Sequence, residues 1–156
     1  MKVVSNAGPL IVLGKLGRLD ILQKLYETIL VAQEVYEETV VSGIALGAPD
    51  AYLIRDYFLS EMFKKKQVQA IKLQNETEIE EGEKATIELA LSEKADFVLI
   101  DDATARKVAK RYGLKPKGTL AVLLYPNKSG LQKIVFVYGS EVHGSRLENK
   151  RINREP

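Results

Sequence analysis

The run ADFVLIDDATARKVAKRYG, residues 95–113, joins an apolar segment to a basic helical pattern through two adjacent aspartates. Ala95–Ile100 has the β-branched and aromatic content of a buried strand. The pattern over Ala103–Tyr112 has helical spacing, and Gly113 suits the left-handed turn that closes a helix. A strand that passes straight into a helix returns to its sheet by a crossover, which makes neighbouring strands parallel.

The same alternation recurs along the chain. Lys2–Ser5 reads as a short buried strand, followed by a helix that opens at Gly8-Pro9 and is broken at Gly14 and Gly17. Asp20–Tyr26 is a second short helix. Thr28–Ala32 is the second strand. It leads into a helix over Gln33–Val41, with Val35 and the Val40/Val41 pair on the buried side. Ala48–Lys65 carries Tyr52, Ile54, Tyr57, Phe58 and Phe63 at amphipathic spacing, and Lys64–Lys66 ends it as cations at a helix C-terminus should. Val68–Leu73 reads as a strand and Asn75–Glu81 as an acidic loop. Gly82–Lys94 is a helix with Ala85, Ile87, Leu89, Ala90 and Leu91 inward. Lys117–Thr119 then leads into an apolar helix over Leu120–Tyr125. Strands that look apolar on both faces, alternating with helices, predict an α/β fold on a mostly parallel sheet.

The 156 residues suit a single domain over residues 1–144, with a polar tail over 145–156. No apolar run approaches the ~20 residues that span a bilayer. The Lys-flanked N-terminal segment is interrupted by Asn6, Gly8, Pro9 and Lys15, so it reads as part of the fold of a cytoplasmic protein rather than as a leader. The chain has no cysteine and one histidine, His143. Disulfides and thiolate zinc sites are therefore excluded, and acid–base or metal chemistry falls to carboxylates.

Net charge is only +2, but the charges lie in blocks. Residues 76–102 hold ten acidic and two basic side chains, whereas residues 103–133 hold eight basic side chains and no acidic one. An acidic zone thus adjoins a basic one. Ligands of open α/β sheets bind at the C-terminal ends of strands. Asn6 follows the first strand there, and Asp101 and Asp102 follow the strand at 95–100. Glu37 and Glu38 lie one turn into the helix after the second strand, and Glu83 in the first turn of another. Glu38, Glu83, Asp101 and Asp102, with Asn6 helping, are candidate oxygen ligands for one or two Mg²⁺ or Mn²⁺ ions, and a cationic block carrying Arg106, Lys107, Lys110 and Arg111 suits a phosphate backbone. Each residue also has an ordinary use. Asn6, Asp101 and Asp102 can cap helices, Glu83 can answer a helix dipole, and Glu37 and Glu38 can face solvent. A phosphotransfer receiver is a further alternative for paired aspartates at strand ends.

The segments VVSNAGPLIVLGKLGRLDILQKLY, ILVAQEVYEE and EEGEKATIELALSEKADFVLIDDATARKVAKRYGLKPKGTLAVLL together resemble the PIN domain, and within it a prokaryotic subgroup. The combination of GEKATIELA, LIDD followed by Ala105-Arg106, and Gly118-Thr119-Leu120 carries the resemblance, with N-x-x-P-L-I at residues 6–11. It covers roughly residues 1–130. It implies an α/β/α sandwich with a mostly parallel central sheet, and a Mg²⁺- or Mn²⁺-dependent ribonuclease. It also implies an RNA substrate, a homodimer and, where the protein is a toxin, an antitoxin partner. The site it implies falls on Asn6, Glu38, Glu83 and Asp102, with Asp101 beside them and Thr119 where some members add a hydroxyl. Two departures stand out. Asn6 occupies a position that is usually aspartate, which leaves room for a PIN-fold RNA- or protein-binding module with weakened chemistry. The segment IVFVYGSEVHGSRLENKRINREP does not resemble the usual C-terminal helices.

Overall fold

The computed structural model describes residues 1–68 and 72–124. Five parallel strands form one sheet: β1 (Val3–Ser5), β2 (Ile29–Ala32), β3 (Phe63–Lys66), β4 (Phe97–Leu99) and β5 (Pro116–Lys117). Their order is β3-β2-β1-β4-β5. The helices are α1 (Ala7–Lys15), α2 (Asp20–Leu25), α3 (Gln33–Tyr36), α4 (Gly43–Ala45), α5 (Pro49–Leu59), α6 (Glu81–Ser92), α7 (Ala103–Arg111) and α8 (Thr119–Leu123). A π-helical segment, Glu37–Ser42, joins α3 to α4. The result is the three-layer α/β/α arrangement expected from the alternation of strands and helices. β1 and β2 are buried throughout, as are Val98 and Leu99 of β4, because helices cover both faces of a parallel sheet. The strand order differs from the 2-1-3-4-5 order of receiver-like folds, which removes the phosphotransfer alternative.

β1 is the centre of the sheet. Val3 and Val4 pair with Ile29 and Leu30 on one side and with Phe97 and Val98 on the other. The sheet grows from β1 through β2 to β3, then restarts on the opposite side at β4. The C-terminal ends of β1 and β4 therefore flank the point where growth reverses, the place where such sheets open a crevice.

Four local expectations change. Lys64–Lys66 does not end a helix. α5 stops at Leu59, Glu61 turns the chain at φ 61°, and Phe63–Lys66 is the edge strand β3. Phe63 is buried and stacks on Tyr57 at 5.2 Å, while the three lysines are exposed, a composition that discourages further strand pairing. Over Val68–Leu73, the described residues Val68, Lys72 and Leu73 lie outside any strand. Leu73 is buried and its N–H donates to Glu88 Oε1 at 2.6 Å. Gly14 sits inside α1 rather than breaking it. A Cβ there would lie 3.2 Å from Asp50 Cβ, so the glycine permits α1 and α5 to pack closely. Gly17, at φ 63°, does end the turn after α1. Finally, the helix after β2 runs beyond Val41 through the π segment. Its wider turn rotates the face, so Thr39 and Val40 are buried and Val41 is exposed.

Tyr52 is likewise exposed, while Tyr36 and Phe58 meet edge-on at 4.9 Å and Phe58 meets Phe63 at 5.5 Å. No helix among the described residues is long and apolar enough to cross a membrane. The expected end of the domain at residue 144, the polar tail and His143 lie outside the described residues.

Among the described glycines, Gly43 has the least room for a side chain: an added Cβ would fall 2.6 Å from Ala51 Cβ. Gly43→Ala is expected to destabilise the fold by about 1–3 kcal/mol through overpacking. In chemical denaturation, the double variant Gly43→Ala/Ala51→Gly should lose less than the sum of the two single changes. Strict additivity would place the strain elsewhere.

Candidate functional site

A pocket of about 150 Å³ opens at the C-terminal ends of β1 and β4. Asn6, Ala7, Gly8, Glu38, Glu80, Gly82, Glu83, Asp101 and Asp102 line it. A larger hollow of about 310 Å³ lies beside Val68, Lys84 and Glu88 and does not include these strand ends.

Asn6 is fixed by the sheet. Its N–H donates to Leu99 O at 2.9 Å, extending the β1–β4 ladder by one residue. Ser5 Oγ donates to Asn6 O at 3.0 Å. The residue occupies the N-cap position of α1, yet its side chain makes no capping hydrogen bond. Instead Asn6 Oδ1 lies 3.2 Å from Thr86 Oγ1, a buried hydroxyl that also lies 2.7 Å from Gly82 O. The amide is thereby turned away from α1 and towards α6.

Glu38 reaches the pocket from the π segment. A Cβ on Gly82 would lie 3.2 Å from Glu38 Oε2 and 4.0 Å from Asn6 Oδ1, so glycine leaves the room these two groups occupy. Glu38 and its neighbour Glu37 are both exposed, and Glu37 accepts a hydrogen bond from Gln33 Nε2. Of the adjacent glutamates, only Glu38 lines the pocket.

Glu83 and Asp102 combine a local use with a place in the lining. Glu83 Oε2 accepts the Glu80 N–H at 3.0 Å at the start of α6. Asp102 is the N-cap of α7, and its Oδ1 accepts the Ala105 N–H at 2.7 Å. In each case one oxygen answers a helix end. Asp101 differs, because both of its oxygens are engaged. Oδ1 accepts the Thr119 N–H at 2.6 Å, and Oδ2 accepts the Thr119 hydroxyl at 2.7 Å.

Glu80 also lines the pocket, although sequence reasoning leaves it in the acidic loop. It occupies the N-cap position of α6 three residues ahead of Glu83, but glutamate is not among the residues that mark an N-cap, so the sequence carries no signal for it. No lysine or arginine is in the lining. Burial, with Glu80 adding to it, pushes the Glu38 carboxyl above the usual glutamate range. Glu83 is also raised, mainly by burial and further by the charges of Asp102, Glu80 and Glu38, against the lowering effect of its bond to the Glu80 N–H.

Among the described residues, no three carboxylate, histidine or cysteine side chains converge closely enough to define a metal centre. The donor set is nonetheless all hard oxygen, with mutually repelling carboxylates, and in that respect it fits a small divalent cation.

The basic helix stands apart from the pocket. None of Arg106, Lys107, Lys110 and Arg111 lines it. At 1.5 Å per residue, Arg111 lies about 13 Å along α7 from Asp102, where it pairs with Glu76 at 2.9 Å and approaches Glu78 at 3.9 Å. Lys107 and Lys110 are exposed and Arg106 is half-buried. Arg106 and Lys107 are the cations nearest the rim along the helix.

A family model described as a PIN domain (DUF3368) matches residues 2–136. A PilT N-terminus domain protein from the hyperthermophilic archaeon Sulfolobus solfataricus is similar in fold. Its structure superposes with a TM-score of 0.56 at 18% identity, over 81% of this chain and 97% of that one. No curated protein matches the sequence.

The raised carboxyls set the sign of a pH dependence. A glutamate held above its unfolded value binds its proton more tightly in the folded state. Its ionisation therefore costs stability as pH rises above the ordinary glutamate value of about 4. Glu38→Gln is expected to raise the melting temperature at neutral pH and to flatten its fall over that rise. Superimposable melting curves for variant and wild type at every pH would mean that the repulsion is negligible.

Proposed function

The chain belongs to the PIN domain family, and from that premise we propose that it is a divalent-metal-dependent endoribonuclease. The observation that supports this most directly is the shared pocket. Asn6, Glu38, Glu83 and Asp102 come from four separate segments and line one cavity at the reversal point of the sheet.

Glu38, Glu83 and Asp102 would hold Mg²⁺ or Mn²⁺, with the Asn6 side-chain carbonyl as a neutral donor. A bound cation would supply Lewis acidity and charge neutralisation to a phosphodiester. The chain's own residues do the rest. The capping bonds at Glu83 and Asp102 orient two carboxylates, and Thr86 orients the amide of Asn6. Gly82 keeps Glu38 free to enter the pocket. Arg106 and Lys107 would meet phosphates at the rim, and Lys110 and Arg111 would extend that contact along α7. Such contacts hold a backbone without reading sequence. The resemblance supports a homodimer and, in a toxin–antitoxin pair, an antitoxin partner.

A second reading, an RNA- or protein-binding module with weakened chemistry, is favoured by one feature. The neutral Asn6 gives one ionised ligand fewer than aspartate would, and divalent affinity follows ligand charge.

Mn²⁺ titration and cleavage of an unstructured RNA separate these readings. Asp102→Ser keeps a capping oxygen while removing the carboxylate. It is expected to lower Mn²⁺ affinity by about tenfold or more and to abolish EDTA-sensitive cleavage. Asn6→Asp should strengthen both. Equal, negligible Mn²⁺ binding in all three proteins, with intact RNA throughout, would rule out the nuclease. RNA retention without cleavage, even in Asn6→Asp, would favour the binding module.

A further inference from the structure

We propose that Asp101 is a positioning residue that clamps the start of α8 to the end of β4 and so seats Arg106 at the pocket rim, and that it does not ligate the cation. The clamp is a matter of contacts within the chain; its consequence for substrate rests on the nuclease reading above.

Both Asp101 oxygens are taken by a single residue. Thr119 donates its N–H to Oδ1 at 2.6 Å and its hydroxyl to Oδ2 at 2.7 Å. Bonds to an ionised acceptor are the stronger kind, and Thr119 is buried. The clamp continues the sheet, because Ile100 N donates to Lys117 O at 2.9 Å just before it. Glycines hem the carboxylate in. A Cβ on Gly8 would lie 3.4 Å from Asp101 Oδ2, and one on Gly118 would lie 3.2 Å from Oδ1. The same Gly118 position faces Arg106, whose Nη1 would lie only 3.0 Å from such a Cβ. The guanidinium therefore rests over the Gly118–Thr119 turn that Asp101 holds.

Arg106 is one helical turn beyond Asp102, and its N–H donates to Asp102 O at 3.0 Å. The two adjacent aspartates thus divide the work. Asp102 caps α7 and keeps one oxygen for the pocket, while Asp101 fixes the neighbouring turn and the cation that leans on it.

The experiment compares wild type with Asp101→Asn, Asp101→Ala, Thr119→Ser and Asp102→Ser. In the metal-free protein, the amide proton at position 119 is expected to resonate downfield and to exchange slowly. Asp101→Ala should erase that signature, while Thr119→Ser and Asp102→Ser should retain it. An unchanged signature in Asp101→Ala would overturn the clamp. Asp101→Asn keeps an acceptor for the amide and should hold Mn²⁺ within about twofold of wild type, whereas Asp102→Ser should not. Equal losses in the two variants would make Asp101 a ligand and overturn the proposal. On RNA at saturating Mn²⁺, Asp101→Ala should raise KM several-fold more than it lowers kcat. A fall confined to kcat would overturn the seating of Arg106. If wild type neither binds Mn²⁺ nor cleaves RNA, the nuclease reading fails, and the amide signature alone decides the clamp.

Discussion

The structure depends on hydrogen bonding on both sides of β1. A three-residue strand has little area of its own, and only pairing with β2 and β4 together holds it at the centre. That position decides where Asn6 emerges. Because its N–H continues the ladder to Leu99, Asn6 leaves the sheet beside Ile100, where the chain delivers Asp101 and Asp102. The growth of the sheet reverses between these two strands, so the crevice follows from topology before any side chain is considered.

Collecting carboxylates in that crevice has an electrostatic cost, visible in the raised Glu38 and Glu83 carboxyls. The chain limits the cost by giving the acids second uses. Glu83 and Asp102 each place one oxygen on a backbone N–H at a helix start, where the dipole favours negative charge. The choice between a cap and a pocket residue, which looks exclusive in the sequence, is not one the molecule has to make. Asp101 satisfies both oxygens instead, and Asn6, although it occupies the N-cap position of α1, makes no capping bond with its side chain.

Much of the architecture was legible because β1, β2 and β4 are apolar on both faces and each leads directly into a helix. β3 was not, since an edge strand with three exposed lysines has no apolar alternation to read, and a lysine run equally suits a helix end. Gly14 looked like a breaker because close packing between α1 and α5 is a tertiary fact. That acids near 37–38, 83 and 101–102 lie at one rim was legible from their positions after strands or at helix starts, but position did not separate Glu38 from Glu37 or Asp102 from Asp101. Glu80 was not legible, because glutamate does not mark an N-cap and a residue just ahead of a helix is then assigned to the loop. The separation of Lys110 and Arg111 from the pocket follows from helix rise, which composition alone does not convey.

The π segment between Glu37 and Ser42 has one more implication. A regular α-helix would advance each residue by about 100°, and the widened turn changes that phase once, just where the acid departs towards the crevice. Both glutamates are exposed, and which of the two lines the crevice is therefore governed by how many residues the turn contains, not by any difference between their side chains. An insertion or deletion of a single residue here would re-aim the acid without altering one functional group.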